Sequence, residues 1–135
     1  MEGLPTDRIL LRAIYTRHLP DYLSYTEENQ TRSSKIFVPL DLEGLSKDLG
    51  IDPDILFGRL YYHLNGAHSQ VGANADRSEF FSPRIGADRH CINFPMLTSV
   101  LADLQDRHRQ FLTANMIASF SLVISLISVF IAIWA

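Results

Sequence analysis

The chain has 135 residues, a formal net charge of −3 and a single cysteine. Mild acidity gives no bulk electrostatic case for nucleic acid or anionic lipid. One cysteine excludes an intrachain disulfide and fits a reducing compartment.

Pro5-Thr6-Asp7 reads as a helix start, followed by Ile9, Leu10, Ala13, Ile14 and Arg17 on a helical period. Pro20 is expected to end or kink that helix, with one further turn through Tyr22 and Leu23. Residues 26–34, TEENQTRSS, read as a polar loop. Residues 35–40, KIFVPL, read as a short strand that Pro39 confines to an edge or an end. Asp41 caps a short helix that stops at Gly50, and Asp52-Pro53 opens a second that is expected to end at Gly66. Residues 67–78 read as a long polar loop. Residues 79–82 and 90–94 read as a hairpin with Gly86 in its turn, and Pro95 starts the final helix.

The order is helix, strand, helix, helix, strand, strand, helix. Leu42, Leu45, Leu49, Ile51, Ile55, Leu56, Leu60 and Leu64 give the two middle helices a shared core. On this order and spacing, DLEGLSKDLGIDPDILFGRLYYHL followed by the hairpin resembles the winged-helix superfamily. The expected fold class is mainly α (α+β). It comprises a cytoplasmic winged-helix domain over residues 1–95, a juxtamembrane helix over 96–110 and a transmembrane helix over 111–135.

The resemblance implies where nucleic acid would be read. The second helix would enter the major groove and offer Arg59, Tyr62 and His63, while the wing would offer Arg84 and Arg89, with Arg77 before it. Against this, Asp52 and Asp54 stand at the leading end of that helix, and Asp41, Glu43 and Asp48 precede it. Duplex affinity comes mainly from neutralising phosphate, so a protein partner is favoured over nucleic acid at the same residues. The acids also serve as helix caps and dipole partners.

No catalytic or cofactor pattern is present. The five histidines are His18, His63, His68, His90 and His108. Their spacing, with that of Cys91, is not a zinc pattern. Cys91 lies among apolar residues and reads as a small core side chain. The chain has no phosphate-binding Gly-rich loop, HExxH or GxSxG. It is therefore read as non-enzymatic, without cofactor or metal.

The last stretch is the clearest. No charged residue follows Arg109, and thirteen of residues 111–135 are Leu, Ile, Phe or Val. As a helix it would be about 37 Å long, enough for a hydrocarbon core of about 30 Å. Arg107 and Arg109 on the near side predict that the preceding domain stays in the cytoplasm, in a single-pass, tail-anchored layout of a bacterial inner membrane. Within the span, Ala114, Ala118, Ser121, Ser125, Ser128, Ala132 and Ala135 recur at alternating steps of four and three. Small residues at this spacing form a seam along which helices approach closely in lipid, with serine hydroxyls able to bond across it. A serine can equally bond a carbonyl of its own helix. The heptad spacing continues upstream through Leu97, Leu104 and Phe111, with Leu101 and His108 on the alternate line.

Two functions follow. The first is an oligomerising membrane anchor whose cytoplasmic domain senses or binds a protein partner, a layout that resembles membrane-acting effectors of bacterial toxin or anti-phage systems. The alternative is a membrane-tethered winged-helix transcription regulator.

Overall fold

The computed structural model describes residues 3–135, an α+β domain followed by one long helix. The chain divides into two compact units, Met1–Leu101 and Ala102–Ala135. In the first unit, α1 (Asp7–Ser24), β1 (Phe37–Pro39), α2 (Leu42–Leu49) and α3 (Pro53–Gly58) follow in order. A π-helical stretch (Arg59–Leu64) and α4 (Asn65–His68) continue directly from α3. Then come a small hairpin of β2 (Gln70–Val71) and β3 (Arg77–Ser78), strands β4 (Phe81–Ile85) and β5 (Asp88–Asn93), and α5 (Phe94–Trp134).

The helix starts are local and read directly from sequence. Thr6 Oγ1 accepts from the Ile9 N–H at 3.3 Å, Asp41 Oδ1 from Gly44 at 3.0 Å, and Asp52 Oδ1 from Asp54 at 2.8 Å. Gly50 ends α2 with a φ of 67°, in the left-handed region where a Cβ is penalised. Strands β1, β5 and β4 form an antiparallel sheet with β5 central. Pro39 and Pro83 therefore both lie on edge strands. Ile85 pairs with Asp88 across a two-residue turn that has Gly86 first, at a φ of 59°.

Three features depart from the sequence reading. First, α1 does not end at Pro20 but runs through it to Ser24, taking in the expected turn through Tyr22 and Leu23. A proline inside a helix costs about 3 kcal/mol, and tertiary contacts hold the turn that follows. Tyr22 stacks on Phe94 with centroids 4.7 Å apart. The Arg32 guanidinium donates to the carbonyls of Asp21 at 2.8 Å and Tyr22 at 3.3 Å. Second, the helical run begun at Pro53 passes Gly66 to His68 and widens over Arg59–Leu64, where the Asn65 N–H bonds the Leu60 carbonyl five residues back. Third, the expected long loop contains the β2–β3 hairpin.

The core comprises Leu10, Leu11 and Ile14 of α1, Leu45 of α2, Leu56, Leu60 and Leu64, together with Phe80, Phe81 and Ile92 from the sheet region. The first turns of α5 belong to it, because Phe94, Leu97 and Leu101 are buried at 1%, 0% and 4% exposure. Asn93 Oδ1 caps α5 by accepting from the Met96 N–H at 3.2 Å. The unit therefore extends past residue 95 to Leu101. Leu97 and Leu101 face their own domain, so they do not carry the heptad seam upstream.

Two polar clusters tie α1 to the helices behind it. Arg17 donates to Asp41 at 2.7 Å and Asp48 at 2.9 Å, and buried His18 accepts the Asp41 N–H at Nε2 while its Nδ1 lies 2.9 Å from Asp21. The second cluster joins Asp7 to Arg59 at 2.7 Å and His63 at 3.2 Å. Burial alone would raise the Asp7 carboxyl, but the Arg59 and His63 hydrogen bonds outweigh it and hold it below its usual range. A depressed carboxyl contributes stability above the unfolded value near pH 4 and loses it as pH falls through the folded value. Replacing Arg59 by Gln should cost about 1–3 kcal/mol at neutral pH in chemical denaturation of the full chain in detergent. It should also shrink the stability lost below about pH 4; an unchanged acid limb would contradict the assignment.

Candidate functional site

In the second unit every residue from 111 to 135 is exposed. Helix α5 has a mean hydropathy of 2.6 over its most apolar 18 residues, none of them buried. It is long and apolar enough to cross a membrane. The serine hydroxyls of the small-residue stripe are bonded within the helix. Ser121 donates to Ile117 O, Ser125 to Ser121 O and Ser128 to Ile124 O, each at 2.9 Å. A hydroxyl has one proton, so these groups retain only acceptor capacity for another chain. What Ala114, Ala118, Ser121, Ser125, Ser128 and Ala132 offer a neighbour is close approach of backbones. On the near side, Arg107 pairs with Asp103 at 3.1 Å, and Arg109 is exposed.

The six contact residues named from the resemblance fall into three groups. Arg59 is held by Asp7 and the Pro5 carbonyl and is only 20% exposed, so it is a structural tie and not a free contact. His63 shares the same carboxylate while remaining 61% exposed. Tyr62 and Arg77 line one groove of about 410 Å³ with Tyr61, Asn65, Glu79 and Pro83. Tyr62 is 79% exposed and meets Tyr61 edge to face at 5.0 Å. Arg77 sits 3.9 Å from Glu79. Arg84 and Arg89 are paired positions across the β4–β5 hairpin, and neither meets a carboxylate among the described residues. Arg84 Nε instead donates to the Gly86 carbonyl at 3.0 Å.

The acids counted against nucleic acid are not equally available. Arg17 is shared between Asp41 and Asp48, so one negative charge of that trio stays uncompensated. The Asp41 carboxyl is held below its usual range by the Gly44 N–H and by Arg17. Glu43, Asp52 and Asp54 form no ion pair among the described residues. Sequence reasoning missed the carboxylate shared by Arg59 and His63. Their spacing of four on one helix was a visible signal; their partner, more than fifty residues away, was not.

His90 and Cys91 lie side by side on β5 with different environments. His90 adopts a φ of 55°, and its buried Nδ1 has no hydrogen-bond partner. Its ring packs edge-on against Phe57 at 5.3 Å. Among the described residues no three His, Cys, Asp or Glu side chains gather where they could hold a metal ion. Cys91 is fully buried in the sheet. No family model, curated protein or solved structure matches the chain.

Burial, with Asp88 nearby, pushes the Cys91 thiol up to about 11. Its thiolate fraction at pH 8 is then about a hundredfold below that of an ordinary cysteine. Cys91 in the folded chain should resist maleimide or dithionitrobenzoate and become reactive on denaturation. Rapid labelling under native conditions would show that β5 opens readily.

Proposed function

We propose that this chain is a membrane-anchored protein with a cytoplasmic winged-helix domain. The domain binds a protein partner, and α5 both spans the bilayer and self-associates. The observation that carries the reading is the uncovered apolar helix. A core helix of this hydropathy would be packed on most sides, whereas this one has an 18-residue window with no buried residue. Thirteen Leu, Ile, Phe and Val residues favour insertion by about 4–8 kcal/mol before polar costs. The winged-helix assignment is supported by the element order and by the antiparallel sheet β1-β5-β4.

Self-association is supported by the stripe itself, through backbone approach and not through serine donors. Protein binding is favoured over duplex binding by two features. Arg59 is held within the fold, and Asp52 and Asp54 remain at the leading end of α3. The domain would then receive a signal from a cytoplasmic partner and alter how the spans assemble, as in membrane-acting effectors of bacterial toxin or anti-phage systems. One observation favours the membrane-tethered regulator instead. Arg84 and Arg89 oppose each other on the hairpin without an acid between them, a cation pair suited to phosphate.

Single cysteines placed through residues 117–133 and oxidised in native membranes test the proposal. Disulfide dimers should peak at 118, 121, 125, 128 and 132 and fall at the positions between. A flat profile would overturn self-association through this face.

A further inference from the structure

A second groove shares no lining residue with the one at Tyr62 and Arg77. Between α1 and α2 runs a groove of about 450 Å³, lined by Arg8 and Arg12 together with the apolar Ile9, Ala13 and Leu49. Asp48 also borders it but is engaged by Arg17 at 2.9 Å. Arg8 and Arg12 are four apart on one helix, where like charges repel. Neither forms an ion pair among the described residues, while Arg17, Arg59, Arg77 and Arg107 all do. Ile9 between them is 44% exposed. The Arg84–Arg89 pair on the hairpin also lacks an acid, but neither residue lines this groove. The α1–α2 groove therefore presents two cations without ion pairs beside an exposed apolar side chain, outnumbering the one acid, Asp48, that lines it.

The chain carries the complementary surface elsewhere. At the start of α3, Asp54 forms no ion pair among the described residues, and the adjoining Ile55 is 49% exposed. We propose that the groove between α1 and α2 docks the start of α3, Asp54 and Ile55, from a second copy of this chain. The cations would meet the carboxylate, and Ile9 would meet Ile55. The two surfaces are unlike, so the contact is heterologous and propagates from copy to copy instead of closing a dimer. Exposed ion pairs are individually weak. Confinement to a membrane supplies the high local concentration that lets a weak contact act, and in this respect the inference rests on the proposed anchoring. Spans that pair through α5 and domains that link in rows would together gather copies into clusters.

The test uses two differently tagged full-length copies in the same membranes, one carrying Ile9→Cys and the other Ile55→Cys. Cys91 is retained because it is fully buried. With a short bismaleimide, the mixed-tag 9–55 product should exceed the 9–9 and 55–55 products at least fivefold. Arg8→Glu with Arg12→Glu on the first copy, or Asp54→Arg on the second, should reduce it to background. Both changes together should restore it, which separates lost docking from lost folding. A 9–55 product no stronger than the like pairs, or no restoration by the charge swap, overturns the proposal. Cross-linking from position 9 to a different protein without a 9–55 product does the same. Alkaline extraction of the same membranes reports anchoring independently, so failure of the anchor and failure of the docking are read apart.

Discussion

An uncharged apolar helix has no stable place in water unless something covers it. Helix α5 changes character along its length. Phe94, Leu97 and Leu101 complete the core of the first unit, and from Phe111 onward every residue is exposed. No residue from 111 to 135 is buried, while the core of the first unit is filled by that unit's own side chains. The requirement for an apolar solvent around 111–135 therefore governs the proposed role. On the proposed anchoring, the domain would stand on the aqueous side and meet other molecules through its aqueous faces or along the span.

The domain itself depends on polar ties that join α1 to its neighbours. Arg17 bridges Asp41 and Asp48, and His18 receives the Asp41 N–H, so the cap of α2 is fixed from α1. Asp7 does the same for the π-helical stretch through Arg59 and His63. These ties also decide which charges can act outside the fold. They withdraw Arg59 from the surface and leave the half-exposed trio of Arg17, Asp41 and Asp48 with one net negative charge. They leave Arg8, Arg12, Arg84, Arg89 and Asp54 without ionic partners among the described residues.

What was legible in the sequence was local. Thr6, Asp41 and Asp52 cap the N–H two or three residues on, and Gly50 and Gly86 occupy left-handed positions that few other residues tolerate. The length of the apolar stretch needs no fold to interpret. What was not legible depends on distant partners. Pro20 looked like a helix end or kink because the stacking of Tyr22 on Phe94, and Arg32 on the α1 carbonyls, depend on residues farther along the chain. Leu97 and Leu101 fitted a heptad that their burial in the domain takes away. The stripe serines offered cross-chain donors in sequence, yet each proton is used within its own helix. Arg59 looked like a contact residue for the same reason, since Asp7 is remote from it in sequence.

Alkaline extraction of membranes, applied to the full chain and to a variant with Ile124→Arg and Ile127→Arg, decides whether α5 is embedded in lipid. Two arginines at the middle of a span cost about 5–7 kcal/mol, comparable to the whole apolar gain. The unaltered chain should stay in the membrane pellet at high pH, and the variant should be released or lost. Recovery of the unaltered chain in the soluble fraction would contradict the account.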